Sequence, residues 1–136
     1  MTSPYREIFY TSVIAHDQAA TVVARILATA RTANARHGIT GLLIFDGMRF
    51  FEHFEGTPEA VVALMGNIAC DRRHAQLRVI HEGNLAQRRY RAFQAGYAEP
   101  DELEGESGGS DGLLRLQGEA GLQRFLAMQA GFDIQI

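Results

Sequence analysis

Residues 36–73 read R-H-G-I-T-G-L-L-I-F-D-G-M-R-F-F-E-H-F-E-G-T-P-E-A-V-V-A-L-M-G-N-I-A-C-D-R-R. Two apolar runs, Ile39 to Phe45 and Met48 to Phe54, flank Asp46-Gly47. Asp-Gly between alternating apolar residues predicts a β-hairpin with a type I′ turn, in which both central residues adopt φ > 0. Gly56 ends the second strand. Thr57 then offers a cap, Pro58 suits the first helical position, and Glu59 places a negative charge against the positive end of the helix dipole. Apolar residues recur at helical spacing from Ala60 to Cys70. Within the hairpin, Glu52 falls between Phe50 and Phe54 on one face of the second strand.

Working outward, residues 6–14 (R-E-I-F-Y-T-S-V-I) alternate in β-branched and aromatic types and predict a first strand. Ile8, Tyr10, Ser12 and Ile14 share one face and Phe9, Thr11 and Val13 the other; both faces are mostly apolar, as in a central strand covered on two sides. A helix is expected from His16-Asp17-Gln18, with Asp17 as cap, to about Arg36. Its inner stripe runs through Val22, Ile26, Thr29 or Ala30, and Ala33, and Gly38 is its stop. After the hairpin and second helix, Gln76 to His81 predicts a fourth strand, and residues 88–98, with Tyr90, Phe93 and Tyr97, a fifth. Short connections and right-handed crossovers then give an α+β, ferredoxin-like βαββαβ sheet of about five strands with two helices on one face.

Residues 1–100 form this domain. The acidic, Gly/Ser-rich piece at 101–111 (D-E-L-E-G-E-S-G-G-S-D) reads as a linker. In the extension 112–136, a C-terminal helix is expected from Leu113 to Met128, weakened by Gly118 and Gly121 at roughly 1 kcal/mol each. Such a helix needs a docking surface, either the uncovered sheet face or a second subunit.

A chain of 136 residues holds one domain with a real core. No stretch approaches the roughly 18 apolar residues of a membrane span, and the N-terminus lacks the build of a signal peptide, so a cytoplasmic protein is expected. The single cysteine excludes an intramolecular disulfide. A net charge of −3 argues against nucleic-acid binding. All 13 basic side chains are arginine, which excludes lysine Schiff-base chemistry and a phosphate-loop lysine. The five histidines show no pair at metal-ligand spacing.

The candidates for chemistry are few. Tyr10 and Glu52 project from two strands of one sheet among apolar neighbours. A glutamate there either reaches solvent through a bulge, finds a partner, or is neutralised by a raised pKa. Asn34 is a poor helix former late in the first helix, and is either a turn residue or a functional amide. His74, after Asp71-Arg72-Arg73, stands near the end of the second helix, where a histidine favours the dipole.

These residues carry a resemblance to the BLUF domain, the flavin-binding blue-light sensor of bacteria. The matching pieces are I-F-Y-T-S, R-T-A-N-A-R-H-G-I-T-G-L-L-I-F, R-F-F-E-H-F-E-G, A-V-V-A-L-M-G-N-I-A-C-D-R-R-H and R-R-Y-R-A-F-Q-A-G-Y, which cover about residues 6–98 in order. The resemblance implies FAD held between the two helices. Tyr10 falls on the photochemical tyrosine and Asn34 on the asparagine at the ring's carbonyl edge. Arg31, Asp71, Arg73 and His74 fall where the ring and ribityl chain are lined. Such a protein turns over no substrate; light rearranges hydrogen bonds at the flavin and the change passes to a protein partner or within a homo-oligomer.

The chain departs from the family at telling places. Glu52 replaces the glutamine whose amide switches partners in light, Ala30 and Ala33 replace polar residues, and Phe93-Gln94-Ala95 replaces W-S-M. An ionised carboxylate only accepts hydrogen bonds, whereas a protonated one donates and accepts. Glu52 is therefore expected to be neutral when FAD is bound. The competing readings are a BLUF-like interaction module that has lost flavin binding or photochemistry, and a small enzyme using Glu52 as acid or base beside Tyr10.

Overall fold

The computed structural model describes residues 3–18, 20–98, 117–129 and 133–135; the linker expected at 101–111 lies outside these. In chain order the elements are β1 (Tyr5–Ile14), α1 (Ala20–Arg36), β2 (Thr40–Phe45), β3 (Arg49–Gly56), α2 (Pro58–Cys70), β4 (His74–Leu85), β5 (Phe93–Tyr97), α3 (Gly118–Ala127) and β6 (Asp133–Gln135). They build one sheet in the order β4-β1-β3-β2-β5-β6. The first four strands pair antiparallel, β5 joins β2 in parallel, and β6 closes the far edge antiparallel to β5. This is the expected ferredoxin-like α+β arrangement, with a short sixth strand that no sequence pattern announced.

The parity read in β1 separates two cores. Ile8 and Tyr10 join Leu43, Phe50 and Phe54 beneath Val23 and Leu27 of α1 and Val61 of α2. On the opposite face, Phe9 packs with Leu42, Ile44 and Phe51 against Leu122 and Phe125 of α3. The docking surface of the C-terminal helix is therefore the second sheet face.

The start of α2 follows its sequence signals: Thr57 Oγ1 accepts the Ala60 N–H at 3.3 Å, and Pro58 opens the helix. The hairpin turn differs from expectation. Gly47 has φ +102°, but Asp46 is not at positive φ. Instead the Asp46 carboxylate accepts the N–H groups of Met48 (3.0 Å) and Arg49 (2.7 Å), so a side chain takes the place of backbone turn bonds. The first helix begins at Ala20, past the expected Asp17 cap, because the Gln18 N–H bonds back to Ala15 O and closes a turn first.

The inner stripe of α1 is rotated by about one residue from that expected: Val23 and Leu27 are the buried pair. Strand β4 is much longer than 76–81 because its pairing with β1 runs through two irregularities, with Gln76 at φ 53°. Strand β5 is shorter than 88–98 because residues 88–92 form a loop tied to the sheet end.

Gly41 is where that sheet end requires a glycine. Its φ is +154°, and a Cβ there would stand 2.2 Å from His53 O on the neighbouring strand. Its N–H reaches Ala92 O at 3.1 Å, which sets the entry of β5 beside β2.

Candidate functional site

Between α1, α2 and the sheet lies a cavity of about 230 Å³. Its walls are apolar: Ile26, Ala30 and Ala33 from α1, Leu64 and Ile68 from α2, Leu43 and Phe50 from the sheet. The stripe read along α1 thus flanks this cavity more than it fills the core. The polar lining is Tyr10, Glu52, Asn34, Asp71, Arg73 and His74, with Thr29 and Asn67 in addition.

Six of the seven expected site residues are brought together. Arg31 is the exception: it is half-buried on α1 and does not line the cavity. Thr29, expected only as part of the apolar stripe of α1, and Asn67 join the polar lining without having been expected at the site. The signal that finds them is i, i+4 spacing, Thr29 with Ala33 and Asn67 with Asp71, which puts each pair on the cavity side of its helix.

Tyr10 and Glu52 are direct partners in the β1/β3 register, and Glu52 is paired with Leu43 on its other side. That register runs unbroken along β3, so no bulge carries Glu52 outward; it is 3% exposed. The Tyr10 hydroxyl donates to Glu52 Oε1 at 2.5 Å. Burial pushes the Glu52 carboxyl up to about 7, against the opposing pull of the Tyr10 bond. The Tyr10 phenol is raised well above its ordinary value, first by burial and then by the charge of Glu52.

Asn34, 4% exposed, lines the cavity, and no hydrogen bond joins its side-chain amide to another described residue. Its backbone carbonyl accepts the N–H groups of His37 and Ile39, so it also ends the helix. At the rim, Arg73 donates Nε to both Asp71 oxygens and Nη2 to Oδ2 at 2.7 Å. These bonds hold the Asp71 carboxyl below its ordinary value. His74 donates Nε2–H to Ile68 O, and its Nδ1 pairs with the Ser12 hydroxyl, both at 2.7 Å. Both imidazole nitrogens are occupied, which fixes the ring beside Tyr10 and Phe50.

The opposite face of β3 holds a second polar cluster. His53 Nε2–H donates to Glu7 Oε1 at 2.8 Å, and its Nδ1 is 2.7 Å from the Tyr90 hydroxyl. Arg89 Nε also reaches Glu7 Oε1, at 2.9 Å. Burial pushes the Glu7 carboxyl up, but the bonds and charges of His53 and Arg89 outweigh it and bring it down to about 2. Glu55 accepts the backbone N–H groups of Arg89 and Tyr90 and the Thr40 hydroxyl. The cluster anchors the loop before β5 to the back of the strand that carries Glu52.

An apolar slot ending in a phenol, an acid and an unpartnered amide suits a flat heteroaromatic ring with polar atoms along one edge. Its volume falls below the roughly 300 Å³ at which pockets enclose whole drug-sized ligands, so a larger molecule would insert its ring and leave the rest at the rim. The residues present fit a flavin: Ala30, Ala33 and Ile68 would offer apolar contact to its ring, and Asn34 and Glu52 would offer partners for its polar atoms. By fold and site the protein is thus a binding domain for a planar ring ligand.

The profile of the family described as "Sensors of blue-light using FAD" matches residues 6–96. The chain belongs to this family, the BLUF domains, which are flavin-binding sensors of blue light. Its fold is similar to that of BlrB, a BLUF protein in its dark state, with a TM-score of 0.77, 22% identity, and 96% of this chain and 98% of that one covered. It is similar to BlsA in its photo-activated state, with a TM-score of 0.77, 22% identity, and 90% and 92% covered. A third similar structure is BlrP1 of Klebsiella pneumoniae with FMN and cyclic diGMP, 26% identical at a TM-score of 0.68, where 90% of this chain covers 33% of that one. The search of curated proteins found no match. No helix among the described residues is long and apolar enough to cross a membrane.

Proposed function

We propose that this chain is a cytoplasmic blue-light photoreceptor that holds FAD between α1 and α2, turns over no substrate, and signals through protein contacts, with a downstream partner or with further copies of itself. The observation that carries this reading is the Tyr10–Glu52 pair at 2.5 Å, facing an open cavity where packed side chains would have closed an abandoned site. Bound there, a flavin supplies absorption of blue light and, once excited, an acceptor for an electron and a proton.

The chain's own residues do the rest. Tyr10, buried and with a raised phenol pKa, holds its proton in the dark and is the group placed to release it. Neutral Glu52 accepts the Tyr10 hydroxyl on one oxygen and keeps an O–H to donate toward the cavity, so it reproduces the donor-and-acceptor character of an amide. A balanced exchange at this pair would pass the Tyr10 proton to Glu52 Oε1 while the proton on Glu52 Oε2 leaves toward the acceptor in the cavity, so that the two carboxyl oxygens would swap donor and acceptor roles. Asn34 would orient the ring through its side-chain amide, which no described residue engages. Ala30, Ala33, Leu64 and Ile68 exclude water from its faces. Arg73, fixed by Asp71, stands at the rim where the phosphates of a dinucleotide would emerge.

The experiment is a visible spectrum of the purified protein before and after blue light, with the flavin released and identified. Yellow protein that yields FAD and whose band shifts slightly to the red in light is expected. Colourless protein that FAD does not reconstitute would return the chain to an interaction module.

A further inference from the structure

Among the described residues that line the cavity with Glu52, no positive charge is uncommitted. From β1 it meets Tyr10, whose neutral hydroxyl donates one hydrogen bond to it but brings no charge; from β2 and β3 it meets Leu43 and Phe50; and neutral Asn34 of α1 lines the same cavity. Beyond α2 stand Asp71, Arg73 and His74. The Arg73 guanidinium is committed to Asp71, a like charge to Glu52, and both nitrogens of His74 are committed to Ser12 and Ile68. With the cavity open, water entering it is what solvates an ionised Glu52. A ring filling the slot expels that water and sets electron-rich atoms against the carboxylate. Occupancy by a ring and ionisation of Glu52 therefore oppose each other.

We propose that flavin binding to this chain is linked to uptake of one proton by Glu52, so that the protein reads pH through how much cofactor it holds. The proton comes from solvent and bonds to a Glu52 carboxylate oxygen; no other bond forms or breaks. This rests on the reading that the cavity holds a flavin. Burial has already pushed Glu52 up to about 7, which places the linkage in the near-neutral range. The sign follows from where the proton sits. Below about pH 7 Glu52 is protonated with or without ligand, and affinity is flat; above it, binding must first protonate the acid, and Kd weakens about tenfold per pH unit until the pKa of the bound state is reached.

The test is titration of flavin-free full chain with FAD at about pH 6 and about pH 8.5, in buffers of different ionisation enthalpy. Weaker binding at the higher pH, near one proton taken up per FAD there, and a flat response in Glu52→Gln are expected. Equal Kd at both pH values without proton uptake would overturn the linkage while leaving the flavin site intact. A slope that survives undiminished in Glu52→Gln would overturn it too, by assigning the proton elsewhere. Absence of FAD binding at either pH, in wild type and Glu52→Gln alike, would remove the cofactor reading itself. Should Glu52→Gln fold poorly, the buffer dependence of the wild-type heat still decides.

Discussion

Tyr10 and Glu52 are held as hydrogen-bonded partners by the pairing of β1 with β3, so the phenol and the acid meet at 2.5 Å without either side chain reaching beyond its own strand. A backbone register, and no mobile loop, sets the contact. Tyr10→Phe keeps the ring that packs against Phe54 and removes only the hydroxyl. We expect this variant to retain FAD and to lose the light-induced spectral shift. A second consequence concerns Glu52. The Tyr10 bond lowers its pKa against the effect of burial, so the variant's Glu52 titrates above wild type, as followed by the infrared carboxyl bands across pH.

The flavin-free protein carries a cost at alkaline pH. Glu52 is raised from its ordinary 4.5 to about 7 in the folded state. Its contribution to stability is therefore fully present below about pH 4.5 and is lost as pH rises through about 7, a change of about 3 kcal/mol for a shift of this size. Urea unfolding of the flavin-free chain between about pH 5 and about pH 8.5 measures it. Glu52→Gln, which cannot ionise, is expected to be the more stable protein at the upper end of that range.

Glu7 imposes the opposite dependence. Its carboxyl is lowered to about 2 in the folded protein, so its contribution is present above about pH 4.5 and is lost as pH falls toward 2. The Arg89 partner reaches solvent, which weakens its share, and about 2–3 kcal/mol is a reasonable size. Glu7→Gln should flatten the acid limb of the stability curve and leave the 86–92 loop more open to amide exchange, because His53 and Arg89 lose the carboxylate that gathers them.

Gly41→Ala tests the geometry at the far end of the sheet. A Cβ 2.2 Å from His53 O forces β2 away from β3, and we expect a loss of at least about 2 kcal/mol in urea unfolding. Alanine at Gly47 lies in open space and meets only the backbone strain of φ +102°, so its loss should be smaller.

Much of the sheet was legible because periodicity and turn chemistry agree in β1, β2, β3 and α2. The two-sided character of β1 gave both cores, and the position of Glu52 between Phe50 and Phe54 put it on the cavity face. The turn type was not legible, because the Asp46 side chain competes with the backbone for the bonds that define it. Strand β4 carries many polar residues at a sheet edge, so its alternation is weak, and β6 is too short to show a period. The cluster of Glu7, His53, Glu55 and Arg89 was hidden for another reason: Glu7 and Arg89 are brought together by strand order across |i−j| = 82, and no local spacing encodes that. Arg31 was placed at the site by family pattern alone, and the helix turns it off the lining.

The central claim is a flavin ring in this cavity beside an uncharged Glu52. The most direct measurement is the infrared spectrum of the flavin-loaded protein at neutral pH, compared with Glu52→Gln in the dark and after blue light. We expect a protonated-carboxyl C=O band that is present in the wild type, absent in the variant, and shifted by illumination as the Tyr10–Glu52 bond rearranges. A wild type that shows Glu52 only through ionised carboxylate bands, unchanged by light, would contradict it.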